Sequence, residues 1–401
     1  MGGIDASVNP PPSSVLMVTR ELSGDRRYGL GRSLMPVVQA LQRRQWRVRY
    51  LCQEDLPDSA KTDRARWLAW LGRLPGLKGV FQRQLMLGAL VERLQMGWFA
   101  AQTARREGFA CVYLHDPWLA CGFWLGMKGR KSGGVRWGVA EHGFGCYSRA
   151  THEDGLIQGP RAQRWLRRIE TFVLAKAHWV TSPTKLSLDQ LARDLALPCN
   201  PGHWRAIAHA SLQMALPSRE QARSELSWND NNFYVLGVGR LAPLKRFDLL
   251  VEAWAQLARR YPSLHLQLLG GGDTQNFQRM ADAAGLGDRI HFAVVEDVRP
   301  YLAAADVYVS TSTTESFGLA NLEALVAGLP CICTAVGGVP EVMGQGAWLI
   351  PVEQQALQSA LNELIAQPAQ RQAWAARAVA QARQAPDIET VTNHYAELFT
   401  R

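Results

Sequence analysis

Short apolar runs alternate with longer amphipathic stretches in the first half of the chain. The opening run Val15–Thr19 is followed by glycines, a predicted helix over Arg32–Arg44 and a predicted strand over Arg47–Cys52. A strand, a glycine loop, a helix and a second strand form a βαβ unit, which belongs to a parallel sheet. Further predicted strands in this half cover Cys111–Leu114, Val135–Ala140, Trp179–Thr181 and Arg205–Ala208.

The same rhythm starts again at Phe233, after a polar segment that contains Pro217 and residues 228–232. Strands alternating with helices argue for a parallel sheet covered on both faces, so each half is predicted to be a doubly wound α/β unit. Predicted strands cover 233–238, 264–269, 290–293, 306–310 and 330–333. Predicted helices cover 247–260, 275–284, 298–304, 318–327, 354–367, 370–384 and 388–400.

The length of 401 residues exceeds what one hydrophobic core usually organises. We therefore expect two Rossmann-like domains, residues 1–215 and residues 216–385, facing each other across a cleft that would hold a ligand. The last segment, 386–401, is predicted to be a helix that packs back on the N-terminal domain.

Residues 61–106 interrupt the βα rhythm with apolar positions spaced at about 3.6 residues, mixed with tryptophan and arginine. This pattern suits an interfacial helix, with apolar side chains at the acyl boundary and cations near lipid phosphates. It equally suits a helical insertion that covers the core and exposes its arginines to solvent. Both interpretations stay open at the level of sequence.

The net charge of +9 is divided unevenly between the halves. Residues 1–210 hold 30 Lys and Arg against 16 Asp and Glu, a balance of +14, whereas residues 211–401 hold 14 against 19, a balance of −5. The asymmetry indicates an anionic partner for the first half, either a membrane surface or an acidic acceptor. Nucleic acid is not expected, because no recognised binding motif accompanies the charge.

Cysteine usage and the N-terminal residues predict a cytoplasmic protein, with peripheral binding to the inner face of the cytoplasmic membrane as a further expectation. No cysteine pair has C-x-x-C spacing, so neither a disulfide framework nor a zinc site is predicted. The start lacks the basic and apolar regions of a signal peptide, and no run of about 18 apolar residues is present. The seven cysteines are Cys52, Cys111, Cys121, Cys146, Cys199, Cys331 and Cys333.

Candidate chemistry in the second half follows the predicted strands, where open α/β sheets bind their ligands. Gly239, Arg240 and Lys245 follow the first strand, and two cations with nearby glycines suit a diphosphate. The next strand ends in a glycine run that contains Gly271. Val294 and Val295 directly follow the strand after it and could line one face of a base.

The segment 315–323 is the most informative part of the sequence. A helix is predicted to begin near Gly318, so its free amides and positive end would favour a sugar phosphate. Glu315 precedes this helix and Glu323 lies within it. The two carboxylates would contact hydroxyls at opposite ends of a sugar nucleotide.

Taken together, these motifs resemble those of the family 4 retaining glycosyltransferases of the GT-B fold. The match runs over nearly all of 233–352, through the Gly239 to Lys245 motif, the Gly270-Gly-Gly-Asp run, the Glu315-x7-Glu323 motif and the Gly337-Gly-Val-Pro-Glu341 run. The resemblance implies sugar transfer with retention of anomeric configuration, without a metal or other cofactor, from a nucleotide sugar for which uridine diphosphate is the commonest expectation.

The resemblance also implies residue roles. Arg240 and Lys245 would hold the diphosphate and stabilise the leaving nucleotide, Glu315 would contact the donor sugar, and His142 would lie near the reacting centre; these four form the predicted catalytic set. The predicted donor-binding set is Gly239, Arg240, Lys245, Gly271, Val294, Val295, Glu315, Ser316, Phe317, Gly318, Leu319 and Glu323.

The first half resembles the family more loosely. Gly29 and Gly31 follow its first strand, His115 and Asp116 follow another strand, and His142 a third. The first four of these residues are the predicted acceptor or phosphate loop. Histidines that follow strands at a sheet edge are more often functional than a lone histidine would be.

The chain departs from the family pattern at two places. Ala208-His-Ala-Ser-Leu212 stands where such enzymes carry a Pro-Asn-Gly-Val-Asp-like turn, and Arg246 stands where glycine commonly follows the lysine. The first departure concerns the hinge or the acceptor and leaves the donor motifs intact.

The leading hypothesis is a glycosyltransferase that moves a sugar from a nucleotide sugar to a hydroxyl of a glycan, lipid-linked or part of a lipopolysaccharide or cell-surface polysaccharide. One alternative keeps the chemistry and replaces the acceptor with a soluble small molecule. Another is a catalytically silent protein that binds sugar nucleotides.

Overall fold

The structure, a computed structural model, describes residues 13–21, 29–58, 61–62, 65–66, 69, 84–128, 134–153, 160–198, 201–211 and 214–400. The chain divides into two units, Met1–Ile207 with Ile388–Arg401, and Ala208–Asp387. The divisions fall after residues 207 and 387, whereas the sequence placed them after 215 and 385. Residues beyond 207 already belong to the second unit, because Met214 packs on its core and the buried Arg223 donates to Asp306 at 2.8 Å.

The first unit contains a six-stranded parallel sheet with the order β2-β1-β3-β4-β5-β6. All residues of β1, β3 and β5 are buried, as expected for strands covered on both faces. The strand order changes direction between β1 and β3, which places a crevice at the carboxyl ends of these two strands. The strands are β1 (Ser14–Val18), β2 (Arg47–Leu51), β3 (Cys111–Leu114), β4 (Arg136–Ala140), β5 (Trp179–Ser182) and β6 (Trp204–Ala206).

Helices cover this sheet on both faces. The connections from β2 through β6 run in one direction along the sheet and therefore place their helices on one face, whereas α1 covers the other. The last helix, α15, packs beside α1, where Arg44, directly after α1, donates to Asn393 at 2.7 Å. The helices are α1 (Gly29–Arg43), α2 (Gln84–Glu107), α3 (Pro117–Met127), α4 (Tyr147–Glu153), α5 (Pro160–Lys176), α6 (Lys185–Leu195) and α15 (Ile388–Thr400).

The described part of the 61–106 segment favours the core-covering interpretation. Helix α2 buries Met96, Ala100 and Ala104 in the core of the unit. It lies so close to α3 that a Cβ at Gly122 would fall 2.1 Å from the Leu94 carbonyl oxygen. Residues 63–64, 67–68 and 70–83 lie outside the described residues.

The second unit contains another six-stranded parallel sheet, with the order β12-β11-β10-β7-β8-β9. Its order changes direction between β7 and β10, so the crevice lies at the carboxyl ends of those strands. The strands are β7 (Phe233–Val238), β8 (Leu264–Leu269), β9 (Ile290–Ala293), β10 (Val307–Ser310), β11 (Cys331–Thr334) and β12 (Ala347–Ile350). The prediction of two doubly wound α/β units is confirmed, although β12 was not predicted.

Helices of the second unit follow the strands in regular alternation. In α8 the residues Leu250 and Trp254 are fully buried against the sheet, one turn apart on the same helix face. No helix among the described residues has the length and apolarity needed to cross a membrane. The helices are α7 (Arg219–Glu225), α8 (Phe247–Ala258), α9 (Gln275–Ala283), α10 (Arg299–Ala304), α11 (Leu319–Val326), α12 (Val339–Met343), α13 (Gln354–Ala366) and α14 (Pro368–Ala382).

Candidate active site

An ion pair between Lys245 and Glu315 lies at the crevice of the second sheet. Lys245 ends a short 3-10 turn, Pro243–Lys245, that follows β7, and Glu315 lies in the loop after β10. Because β7 and β10 are neighbours, the two side chains meet with 2.5 Å between Nζ and Oε2. Both side chains are partly buried, which strengthens their attraction relative to a solvent-exposed pair.

The loop that carries Glu315 also holds the lysine turn through its backbone. The Thr313 amide donates to the Leu244 carbonyl at 2.9 Å, and the Thr311 hydroxyl donates to the Lys245 carbonyl at 2.8 Å. Sequence reasoning gave these threonines no role, although their position between a strand end and Glu315 was visible. Hydrogen bonds to backbone carbonyls therefore join the lysine turn to the Glu315 loop beside the ion pair.

A glycine pair after β11 supports Glu315 from the other side. The Gly338 amide donates to the Glu315 carbonyl at 2.8 Å. Gly337 has a φ of +58°, and a Cβ there would lie 1.9 Å from the same carbonyl oxygen. Only glycine fits this position without moving the Glu315 loop.

Arg240 lies between two glycine-containing loops at the same sheet edge. The Gly239 amide donates to the Leu269 carbonyl at 2.8 Å, and the Leu241 amide donates to the Gly271 carbonyl at 2.9 Å. These bonds join the ends of β7 and β8 on either side of Arg240. The Arg240 side chain is exposed and has no ion pair within the described part of the chain, so its guanidinium is available to an anion.

The start of α11 presents backbone amides near Glu315. Gly318 lies at the N-cap with a φ of +81°, and Leu319 is the first helical residue. Phe317 is buried beside this turn, and Glu323 is half-buried one turn into the helix. The first amides of a helix lack intrahelical acceptors, so this end of α11 can bind negative charge.

The two valines after β9 differ in their surroundings. Val294 is 79% exposed, whereas Val295 packs partly against the core of the unit. Since β9 is the edge strand beside β8, Val294 extends the row of candidate residues to a fourth strand end. Of the two, Val294 leaves most of its apolar surface exposed to solvent.

His209 lies in the segment where the chain departs from the family pattern. Its ring packs edge-on against Phe317 with 4.8 Å between centroids. Desolvation lowers the pKa of His209 to about 4, so the imidazole is neutral at physiological pH. This segment therefore contacts the loop that carries Glu315.

Two histidines meet at the carboxyl edge of the first sheet. His115 follows β3 and His142 follows β4, with 2.9 Å between Nδ1 of the first and Nε2 of the second. Asp116 caps α3 by accepting from the Trp118 amide at 2.7 Å, and its other oxygen lies 3.1 Å from Arg93 Nε. The predicted residues of this edge are thus adjacent, and Asp116 also has a structural role.

Two buried carboxyl groups lie behind this edge. Glu170 accepts from the Tyr147 amide at 2.6 Å and the Ser148 amide at 3.2 Å, while Glu141 Oε1 has no hydrogen-bond partner among the described residues. Burial and the nearby Glu170 carboxyl raise the pKa of Glu141 well above its usual range. Burial raises the pKa of Glu170 to about 7, against the lowering effect of its two amide donors. Sequence reasoning did not find Glu170, whose partners lie 22 and 23 residues away.

The predicted glycine loop at 29–31 is helical instead. Helix α1 begins at Gly29 rather than at Arg32, and the Gly31 amide donates to a Glu21 carboxylate oxygen at 3.1 Å. The Tyr50 hydroxyl donates to the other oxygen at 2.5 Å. A carboxylate near a helix N-terminus satisfies free amides, which explains why the helix extends this far. Residues 22–28 lie outside the described residues.

Family models match most of the chain. Residues 218–381 match the model described as glycosyl transferases group 1, and residues 28–208 match the glycosyl transferase 4-like domain. The chain belongs to the family 4 glycosyltransferases. The resemblance seen in the sequence is thereby confirmed.

Curated relatives of this family 4 glycosyltransferase share only a modest sequence identity with it. The D-inositol 3-phosphate glycosyltransferase of Rhodococcus opacus is 29% identical over 273 residues, which are 64% of this chain and 61% of the relative. The chain thus spans less than two thirds of the length of this curated relative.

Solved structures agree with the fold over nearly the whole chain. Sucrose-phosphate synthase from Thermosynechococcus elongatus has a TM-score of 0.75 at 20% identity, covering 97% of this chain and 98% of that one. HepE from Anabaena, in complex with UDP-glucose, has a TM-score of 0.70 at 18% identity, covering 96% and 99%. The GT-B fold predicted from the sequence is confirmed.

The predicted residues of this family 4 glycosyltransferase fall into two groups. Those of the donor set lie at the carboxyl ends of β10, β7, β8 and β9 in the second unit. His115, Asp116 and His142 lie at the carboxyl ends of β3 and β4 in the first unit. Among the described residues no group of three or more His, Cys, Asp and Glu side chains could hold a metal ion.

Proposed function

We propose that the protein transfers a sugar from a nucleotide diphosphate sugar to an acceptor hydroxyl, with retention of anomeric configuration and without a metal. The observation that carries this proposal is the Lys245–Glu315 pair at the crevice of the second sheet, with Arg240 exposed beside it. A cation pair and a carboxylate at one sheet edge match a ligand that has both phosphate and sugar hydroxyls.

The cations would bind the diphosphate. The Lys245 ammonium has three donors, so it can keep Glu315 as a partner and still donate to a phosphate oxygen. Arg240 can donate two parallel bonds to another phosphate oxygen pair. With the amides at the start of α11, these groups would stabilise the charge that develops on the leaving nucleotide diphosphate, a contribution typically worth about 100-fold to 1000-fold per donor.

The carboxylates would fix the sugar and the ribose. Glu315 can accept from donor-sugar hydroxyls through the lone pairs that Lys245 leaves free, and Glu323 would accept from the ribose hydroxyls. Val294 would contact the base through its exposed apolar surface. The site residues would thus contact the donor at its sugar, diphosphate, ribose and base, in a line across four strand ends.

We take UDP-sugars as the donor class. HepE, which shares the fold, was solved in complex with UDP-glucose, and this supports the choice of uridine diphosphate. The +14 balance of residues 1–210 favours an anionic acceptor, which we propose to be a lipid-linked or lipopolysaccharide-like glycan. The D-inositol 3-phosphate relative gives specific support to a second candidate, a soluble phosphorylated acceptor.

Thermal-shift measurements with nucleotide diphosphates test the donor proposal. A ligand that binds only the folded state at a hundred times its Kd adds about 2.7 kcal/mol of stability, so UDP should raise the Tm by several degrees and Arg240→Ala should reduce that rise. Arg259→Ala, which changes another exposed arginine of the same unit, is the matched control. Equal shifts for the two variants would contradict the placement of the diphosphate.

Turnover separates an enzyme from a silent binding protein. We expect product with the donor's anomeric configuration by NMR, and undiminished turnover after treatment with EDTA. An inverted product or loss of activity on chelation would refute retention or metal independence. Transfer to a soluble phosphorylated polyol without lipid would favour the second acceptor candidate.

A further inference from the structure

Helix α5, Pro160–Lys176, presents an unusual exposed face in the first unit. Arg161, Trp165, Arg168 and Phe172 are exposed at spacings of four, three and four residues, so they form one stripe along the helix. Arg164 and Lys176 flank the same stripe. The only acid of the helix, Glu170, is buried, so its exposed face carries cations and aromatic rings without an opposing carboxylate.

The exposed rings are held by buried or half-buried neighbours in α3. Trp165 is 56% exposed and stacks on Trp118 with 6.3 Å between centroids. Phe172 is 43% exposed and packs edge-on against Trp124 at 5.0 Å. Lys176 Nζ lies 5.8 Å from the centre of the Phe172 ring. The rings are therefore fixed in position with their outer surfaces in solvent.

The apolar surface continues onto the two helices that neighbour α5 on this face of the sheet. Leu125 of α3 is 41% exposed, and Trp98 of α2 is 47% exposed. The helices run close together here, since a Cβ at Gly126 would lie 3.4 Å from the Trp98 backbone. Lys128 follows α3 and lies with its Nζ 5.2 Å from the Trp124 ring. We call this surface the α5 face: Trp98, Leu125, Lys128, Arg161, Arg164, Trp165, Arg168, Phe172 and Lys176.

We propose that the α5 face binds an anionic lipid bilayer. Exposed aromatic side chains with interspersed cations suit the membrane interface, where rings enter the headgroup region and cations meet lipid phosphates. All residues of the α5 face except Trp98 lie outside residues 61–106. The proposed membrane contact therefore differs from the interfacial helix that the sequence pattern suggested within that segment. It goes beyond the proposed function, because a peripheral protein can bind a bilayer whatever reaction it catalyses.

The charges disfavour a second copy of this chain as the occupant. A two-fold interface would bring the same patch of each copy together. The four cations that α5 contributes to this face would then meet like charges across the contact, with no exposed acid on the helix to compensate. A planar anionic surface satisfies all four cations at once.

Vesicle sedimentation of the full chain tests the proposal directly. The probes are vesicles of phosphatidylcholine alone and vesicles with phosphatidylglycerol added. Each cation near an anionic surface contributes about five-fold to partitioning, so Arg161→Gln/Arg164→Gln/Arg168→Gln should weaken binding about 100-fold at low salt. The control Arg43→Gln/Arg259→Gln/Arg383→Gln removes three exposed cations elsewhere and should weaken binding much less.

A second variant tests the aromatic contribution. Trp165→Ser/Phe172→Ser should weaken binding at both low and high salt, because apolar insertion is not screened by ions. Thermal unfolding of each variant shows whether it folds, and UDP-induced stabilisation in solution should stay unchanged, so failure here is distinguishable from failure of the proposed function.

Four outcomes would overturn the proposal. Three of them are absence of binding to phosphatidylglycerol vesicles at low salt, equal losses for the two triple variants, and concentration-dependent dimerisation that the aromatic variant abolishes. Tighter binding of a single-stranded oligonucleotide than of vesicles, with the same variant sensitivity, would reassign the face to nucleic acid and likewise overturn it.

Discussion

Arg246 offers a sharp test of the lysine turn, because it stands where the family commonly has glycine. Its backbone is left-handed, with φ 47° and ψ 40°, immediately after Lys245 and before α8. A non-glycine residue in this conformation costs about 1–2 kcal/mol. Glycine would remove this strain but would lose about 0.5–1 kcal/mol through its greater freedom in the unfolded chain.

The Arg246 side chain offsets only a small part of this backbone strain. Its Nε lies 3.0 and 2.9 Å from the two Asp248 carboxylate oxygens, and both side chains are more than a third exposed. Exposed pairs of this kind contribute about 0.2–1 kcal/mol. Arg246→Gly is therefore expected to change stability by less than about 1 kcal/mol, whereas Arg246→Ala keeps the strain, loses the pair and destabilises by roughly 0.2–1 kcal/mol.

Thermal unfolding of the two variants isolates the backbone contribution. Both variants remove the same ion pair, so their difference reports the strain of the left-handed conformation less the cost of glycine's greater freedom in the unfolded chain. We expect Arg246→Gly to unfold about 1–4 °C above Arg246→Ala. Asp248→Ala is the control for the ion pair and should show only the loss of stability that comes from removing that pair. An alanine variant as stable as the glycine variant would refute the argument that strain is stored beside Lys245.

Three further predictions concern other parts of the site. Burial raises the pKa of Glu141, so its contribution to stability is fully present below about pH 4.5 and is lost as the pH rises through the folded value. Glu141→Gln should therefore raise the Tm more at pH 8 than at pH 5, as measured by thermal unfolding, and a rise that is independent of pH would contradict this. Gly337→Ala should displace the Glu315 loop and lower kcat/KM at least 10-fold, whereas Gly202→Ala, where no atom lies within 4 Å of the new Cβ, should leave kcat/KM unchanged; equal effects would refute the steric argument. Val294→Asp should raise the KM for the donor about 10-fold, as measured by initial rates, and should leave the Tm unchanged. An unchanged KM would show that Val294 does not contact the base.

Much of the fold was predictable because buried parallel strands are apolar from end to end. The predicted bounds of β7 and β8 agree with the structure at both ends. Strand β12 was not predicted, because its four residues follow glycines and include the half-buried Trp348 and Leu349. The extension of α1 to Gly29 was also missed, since it depends on Glu21 reaching the helix from ten residues away.

That Lys245 and Glu315 meet at the candidate donor site could be predicted from strand order. The contacts that residues distant in sequence make with this site could not. Lys245 and Glu315 end neighbouring strands at the direction change of the sheet, and motif order along the chain already suggested that. The contact of His209 with Phe317 depends on a loop path that no local pattern encodes. The exposed face of α5 likewise depends on which side of the helix α3 covers.

The central claim is that Lys245 and Glu315 form the donor site of a glycosyltransferase. The most direct measurement is kcat/KM for nucleotide release from the preferred sugar nucleotide, for Lys245→Ala and Glu315→Ala against the matched surface variants Arg259→Ala and Glu225→Gln. We expect losses of at least about 100-fold for the first two and values near that of the unmodified protein for the controls. Unchanged kcat/KM in Lys245→Ala or Glu315→Ala, with the fold intact, would contradict the placement of the donor site.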